Sequence, residues 1–307
     1  MSFTFEVLLD TSLSNIDSSI DADVAVNKYI VSIINDFEDR KWRADKFQNF
    51  IWDNVAESAL SYAEREAVVD ASHTGLVNAA KNLRLSDKEN DISAGSEIAE
   101  IVLYGLMKHK YGGLPVVPKI FYKQNAQDNA KGVDSVHIIL EDNGSFSLWF
   151  GEAKFYNSIE DARLPEIIKS VGKSLDTEKL KKENSIITGV SDLNDLVPDA
   201  AILNEIKATL SNKNSIDTIK PLLNIPVLLL HECEITQNGA ALDQSYINAI
   251  SAYHEDRAKS YFCKQTKKIG DIHLYSEVKF HLVIFPVASK DEIVERFVEN
   301  AQHYKRQ

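Results

Sequence analysis

The chain has 307 residues, 44% hydrophobic and 26% charged, with a formal net charge of −12. This is enough apolar material for one large or two modest domains, while the negative balance argues against a protein that simply coats nucleic acid, since phosphate binding draws on Lys and Arg. No apolar run approaches the roughly 18–20 residues that span a bilayer, and Glu6, Asp10, Asp17, Asp21 and Asp23 precede the first basic residue, Lys28, so no membrane segment or targeting leader is expected and a cytoplasmic location is.

In chain order, the pattern predicts a strand over 2–9 (SFTFEVLL), a Ser/Asp-rich loop over 10–23, and helices near 24–38 and 45–65, with Trp42 and Trp52 in packing roles. The polar segment 84–96 reads as a soft boundary. Residues 96–110 place Ile98, Ile101, Val102 and Leu106 on one helical face, and Tyr111-Gly112-Gly113 with Pro115 stops that helix. Strands are predicted over 116–122, 133–140 and 146–155, then a charged, mostly helical stretch near 159–210 and a buried strand over 225–233 (IPVLLLHEC). A helix near 243–263, a strand over 278–287 and a helix near 290–305 complete the chain. That order predicts an α/β fold, a mixed sheet flanked by helices. Cys233 and Cys263 form no CxxC pair and suit a reducing compartment.

Charge is unevenly spread. Between Gly105 and Ser135 lie Lys108, Lys110, Lys119, Lys123 and Lys131 against Asp128 and Asp134, a local balance of +3 in an otherwise acidic chain. Such a strip is either a nucleic-acid path or a solvated loop face, and the residues alone do not separate the two.

The segment 131–156, KGVDSVHIILEDNGSFSLWFGEAKFY, carries the main chemical signal. If Asp142-Asn143-Gly144 is a three-residue hairpin loop with Gly144 in the left-handed position, Leu140 faces Phe146, Ile138 faces Leu148, Val136 faces Phe150 and Asp134 faces Glu152. Lys154 follows on the same face. An apolar column thus ends in two carboxylates and an ammonium. Opposed acids repel in a sheet, and a divalent cation such as Mg²⁺ removes the conflict, because hard cations take carboxylate oxygens and keep waters and a substrate phosphate. A two-residue turn would leave the acids diagonal but within reach of one ion. The competing explanation is a surface ion-pair cluster at a sheet end. The [DE]xK spacing also occurs at Asp39, Glu205 and Glu277, but only Glu152 has an upstream Asp on a hairpin of sensible length.

These residues resemble the PD-(D/E)xK nuclease core, with GVD supplying the Asp and EAK the Glu-x-Lys after a helix that carries Glu97 and Glu100. Over a longer range, GSEIAEIVLYGLMKHKYGG, KGVDSVHI and GEAKFYNS are similar to the HamA family, the nuclease subunit of Hachiman anti-phage defence. The resemblance implies a restriction-endonuclease-like core over 91–235 with elaborations at 1–90 and 236–307. It also implies a DNA-degrading effector restrained by a HamB-like helicase partner. Asp134, Glu152 and the Ala153 carbonyl would hold Mg²⁺, for which Mn²⁺ would substitute. Lys154 would orient or help deprotonate the attacking water, and Glu97, or alternatively Glu100, would assist from the helix. Val133 stands where the superfamily has proline. The glutamine motif that some relatives carry is missing from 159–174, which leaves Lys131, Lys169 and Lys173 as expected DNA contacts. A second reading is a catalytically silent scaffold for the helicase.

Other motifs fail on spacing. VGKS (171–174) lacks the first glycine of a phosphate loop, so no nucleotide cofactor is expected. HECE (231–234) and HEDR (254–257) lack the second histidine of a zinc protease. His231 reads as a structural, hydrogen-bonded residue, and His137 falls on the hairpin face opposite Asp134.

Overall fold

In a computed structural model of the chain, described over residues 3–85, 92–122 and 132–307, seven strands build one mixed sheet. They are β1 (Glu6–Ser12), β2 (Lys28–Ile34), β3 (Leu114–Val117), β4 (Ser135–Leu140), β5 (Phe146–Tyr156), β6 (Leu223–Glu232) and β7 (Lys279–Val287). Their spatial order is β1-β2-β7-β6-β5-β4-β3. β2, β7, β6 and β5 run parallel, β1 is antiparallel at one edge, and β4 and β3 alternate direction at the other. The predicted α/β class therefore holds, and strands from 1–90, 91–235 and 236–307 share the same sheet.

The main helices are α1 (Ala44–Ala59), α2 (Ser72–Asn82), α3 (Ile92–Tyr111), α4 (Leu164–Ser174), α5 (Thr177–Gly189), α6 (Ala200–Thr209), α7 (Gln244–Ile269) and α8 (Lys290–Lys305). None of the described helices is long and apolar enough to cross a membrane. Alternation along β5 separates two cores. Trp149, Ala153 and Phe155 pack with residues of α1, α3 and α8, whereas Leu148 and Phe150 pack with Ile167 and Ile168 of α4 and with residues of α5 and α7. Helices α3 and α4 thus cover opposite faces of β5, and the parity of a residue decides which helix it meets.

The predicted helix near 24–38 is not formed: residues 28–34 are the strand β2. The run KYIVSII is dominated by β-branched residues, and it is buried from both sides, with Ile30 in one core and Val31 and Ile33 in the other. Two-sided burial removes the period-two alternation that marks a half-buried strand, which is why the run imitates a helix. The predicted loop at 10–23 is also partly ordered, since β1 continues to Ser12 and short helices occupy Leu13–Ile16 and Ala22–Ala25. The strand expected over 116–122 stops at Val117, and Lys119–Tyr122 forms a helical turn. Elsewhere the predicted elements fall within a few residues of the observed ones.

His231 behaves as predicted. Its Nδ1 meets the Glu232 carbonyl at 3.1 Å, its Nε2 lies 3.4 Å from His254 Nε2, and His254 Nδ1 meets Ser32 Oγ at 2.7 Å. This fully buried polar chain joins β6, α7 and β2.

Candidate active site on the β4–β5 hairpin

The hairpin forms in the predicted register: Val136 pairs with Phe150, Ile138 with Leu148 and Leu140 with Phe146. Glu141 and Gly144 close the turn through a 2.9 Å bond from the Gly144 N–H to the Glu141 carbonyl, with Gly144 at φ +81°. At the other end the ladder stops after Ser135–Gly151. The Asp134 N–H still donates to the Gly151 carbonyl at 2.8 Å, and its carboxylate takes over the next position by accepting the Ala153 N–H at 3.0 Å. This bond turns the Asp134 side chain toward the strand that carries Glu152 and Lys154.

Three predicted residues converge there. Lys154 Nζ lies 3.3 Å from Asp134 Oδ2 and 3.8 Å from Glu152 Oε2. Burial disfavours the Lys154 ammonium, but Asp134 and then Glu152 outweigh it and hold the side chain above the ordinary lysine value. Glu152 is almost buried, at 3% exposure, while the side chains of Asp134 and Lys154 are 15% and 26% exposed, so the group opens toward solvent on their side. Among the described residues, two carboxylates thus stand beside one ammonium. Among the described residues no cluster of three or more His, Cys, Asp or Glu side chains is arranged for a metal. The donor set fits an ion held by one or two carboxylates together with waters and a phosphate, which is how Mg²⁺ is usually bound.

The structure adds residues that sequence reasoning missed. Ser170 of α4 donates from Oγ to Glu152 Oε2 at 2.7 Å and so fixes the carboxylate from the side opposite Lys154's strand. Tyr156, two residues beyond Lys154 on the same strand face, is raised in proton affinity by burial and then by Glu166. Beneath the turn into β4, Glu183 of α5 accepts the Val133 N–H at 3.2 Å through Oε1 and binds Lys119 Nζ at 2.6 Å through Oε2. Lys119 and Glu183 are 0% and 2% exposed. Gly132 allows this approach, since a Cβ there would stand 1.6 Å from Glu183 Oε1. A serine on the buried side of an amphipathic helix was the available signal for Ser170. For Glu183 there was none, because its partner lies 64 positions away.

Glu97 and Glu100 are buried on α3, on the face of the sheet that α4 does not cover. Glu97 Oε1 accepts the Arg84 N–H at 2.7 Å. His137, as predicted, is on the opposite hairpin face from Asp134 and packs against the Tyr104 ring of α3, with centroids 4.6 Å apart. Burial, followed by the charge of Arg65, pushes it down to about 3.

The basic strip at 105–135 is internally satisfied where it is described: Lys108 pairs with Glu57, Lys110 with Asp10 and Lys119 with Glu183. Lys123 and Lys131 lie outside the described residues. The other predicted DNA contacts, Lys169 and Lys173, are exposed on α4.

The family model for HamA matches residues 7–301 of the chain. No curated protein matches it. The chain belongs to the HamA family, and with that to the components of the Hachiman defence system.

Proposed function

We propose that this HamA-family chain is a metal-dependent DNA nuclease, the effector of its defence system, restrained by a HamB-like helicase. The observation that carries the reading is the convergence of Asp134, Glu152 and Lys154 at the open end of the hairpin, in the register their spacing predicts. The order α3, then β3, β4 and β5, then α4, then β6 supports a restriction-endonuclease-like core over 91–235, with 1–90 and 236–307 as elaborations of it.

On this reading Asp134, Glu152 and the Ala153 carbonyl hold Mg²⁺ or Mn²⁺. The ion supplies Lewis-acid stabilisation of the phosphoryl oxygens and a more acidic bound water. Lys154, within reach of both carboxylates, would orient the attacking water and offset charge on the scissile phosphate. Ser170 holds the Glu152 rotamer, and Glu97, the helix carboxylate expected to assist, lies on the other face of the sheet and has no part in this step.

The test is degradation of plasmid and single-stranded DNA by the isolated protein and by the protein with its helicase, in Mg²⁺, Mn²⁺ or EDTA, alongside Glu152→Ala. Metal-dependent cleavage that the substitution abolishes is expected. The net charge of −12 favours one second reading, a silent scaffold for the helicase. Tight partner binding with no cleavage in any metal, with or without the helicase, would select it.

A further inference from the structure

Two concavities meet beside Glu152. The smaller is lined by Glu152, Ser170, Lys173 and Lys179, among others, and the larger by Lys169, Lys173, Lys179 and Lys268 together with Asp176. Lys173 and Lys179 border both, so the depression is continuous from the carboxylate outward across α4, the start of α5 and the end of α7. All four lysines are exposed, and none forms an ion pair among the described residues. This sets them apart from Lys108, Lys110, Lys119, Lys154, Lys181 and Lys264, each of which has a carboxylate partner. The acids on the groove wall besides Glu152 are already engaged: Asp176 Oδ1 caps α5 by accepting the N–H groups of Glu178 and Lys179 at 3.1 and 3.3 Å, and Glu183 is paired with Lys119.

On a chain of net charge −12, four exposed lysines from three helices around one groove make a local concentration of positive charge that would attract an anion. Lys169 and Lys173 are one helical turn apart, about 6 Å along the axis, so they offer successive contacts to a chain of charges. Lysine binds phosphate as a point charge rather than reading base edges.

We propose that Lys169, Lys173, Lys179 and Lys268 form a track for a nucleic-acid phosphodiester backbone, leading without sequence preference to the Asp134–Glu152–Lys154 group. The direction of the track rests on that group being the cleavage centre, whereas the binding itself does not. Lys179 and Lys268 extend the contacts expected on α4 to two further helices.

The experiment is fluorescence anisotropy of labelled duplex DNA across a salt series in EDTA, where nothing is cut. It uses the full chain, the Lys179→Ala/Lys268→Ala double variant, and Lys181→Ala as a control from the same helix outside the groove. The double variant is expected to bind at least about tenfold more weakly. Its plot of log affinity against log salt should be shallower by about 1.8, or 0.9 per lost phosphate contact, with the control unchanged. Unchanged affinity in the double variant, an equal loss in the control, or no DNA binding by the full chain would overturn the track. Displacement of DNA by polyglutamate as readily as by unlabelled DNA would overturn it too, assigning the lysines to an acidic protein. A parallel cleavage assay in Mg²⁺ separates the two proposals. Cleavage abolished by Lys154→Ala with intact binding by the double variant retires the track alone, and binding lost in the double variant with no cleavage by any protein retires the centre alone.

Discussion

Two groups of opposite charge flank the start of β4, and they differ in balance and exposure. Lys119 and Glu183 form a pair sealed from solvent, with the other Glu183 oxygen accepting the Val133 N–H. Asp134, Glu152 and Lys154 set two carboxylates against one ammonium and open to solvent at Asp134 and Lys154. A pair sealed from solvent acts on the backbone, where it fixes the approach to Asp134. An open group that presents carboxylate oxygens near the surface can offer them to a cation. Burial of charge is costly in both cases, so the difference lies in what each arrangement exposes to solvent.

The comparison can be broken or sharpened by substitution. The largest effect is expected at the open group: Lys154→Ala should lower DNA cleavage by about a hundredfold or more while thermal denaturation remains near that of the unmodified chain. Equal cleavage rates would contradict the role given to it. At the sealed pair the loss should appear in stability. Glu183→Ala removes the carboxylate that faces the buried Lys119 ammonium and should cost about 3–5 kcal/mol in urea unfolding, whereas Lys119→Met with Glu183→Leu should recover most of it. If the single and double variants unfold alike, the pair is not the isolated unit described.

Ser170→Ala sharpens the open side. It leaves both carboxylates in place but frees Glu152 to rotate, so Mn²⁺ affinity measured by calorimetry should fall about ten- to a hundredfold. The remaining effect is one of pH and is spread over the buried histidines. Burial holds His231 down to about 4, His137 down to about 3 and His254 well below its ordinary value. The unfolded chain therefore binds more protons once pH falls below about 6.5. Stability should be complete above that value and decline toward pH 4, by up to about 1.4 kcal/mol per pH unit for each histidine. Flat unfolding midpoints across this window would contradict it.

Much of the site was legible because its determinants are local. One turn, Asp142-Asn143-Gly144, fixes the hairpin register, and the register places Asp134, Glu152 and Lys154 on one face. The same locality made α3 readable from its hydrophobic period and β6 from its unbroken apolar run. What sequence reasoning missed depends on distant partners. β2 was mistaken for a helix because its burial comes from neighbours, β1 and β7, that its own pattern does not encode. The lysine strip at 105–135 reads equally as a nucleic-acid path or a solvated face in the sequence, whereas in the structure Glu57, Asp10 and Glu183, remote in sequence, neutralise its described members. Of the groove lysines, Lys169, Lys173 and Lys179 are close in sequence, whereas Lys268 of α7 joins them only through the fold.

The central claim is that the open group binds a divalent cation, and calorimetric titration of Mn²⁺ into the intact chain and into Asp134→Asn tests it most directly. The account predicts a binding event in the intact chain that is lost in the variant while the fold persists by circular dichroism. Equal binding by both, or no binding by the intact chain, would contradict it.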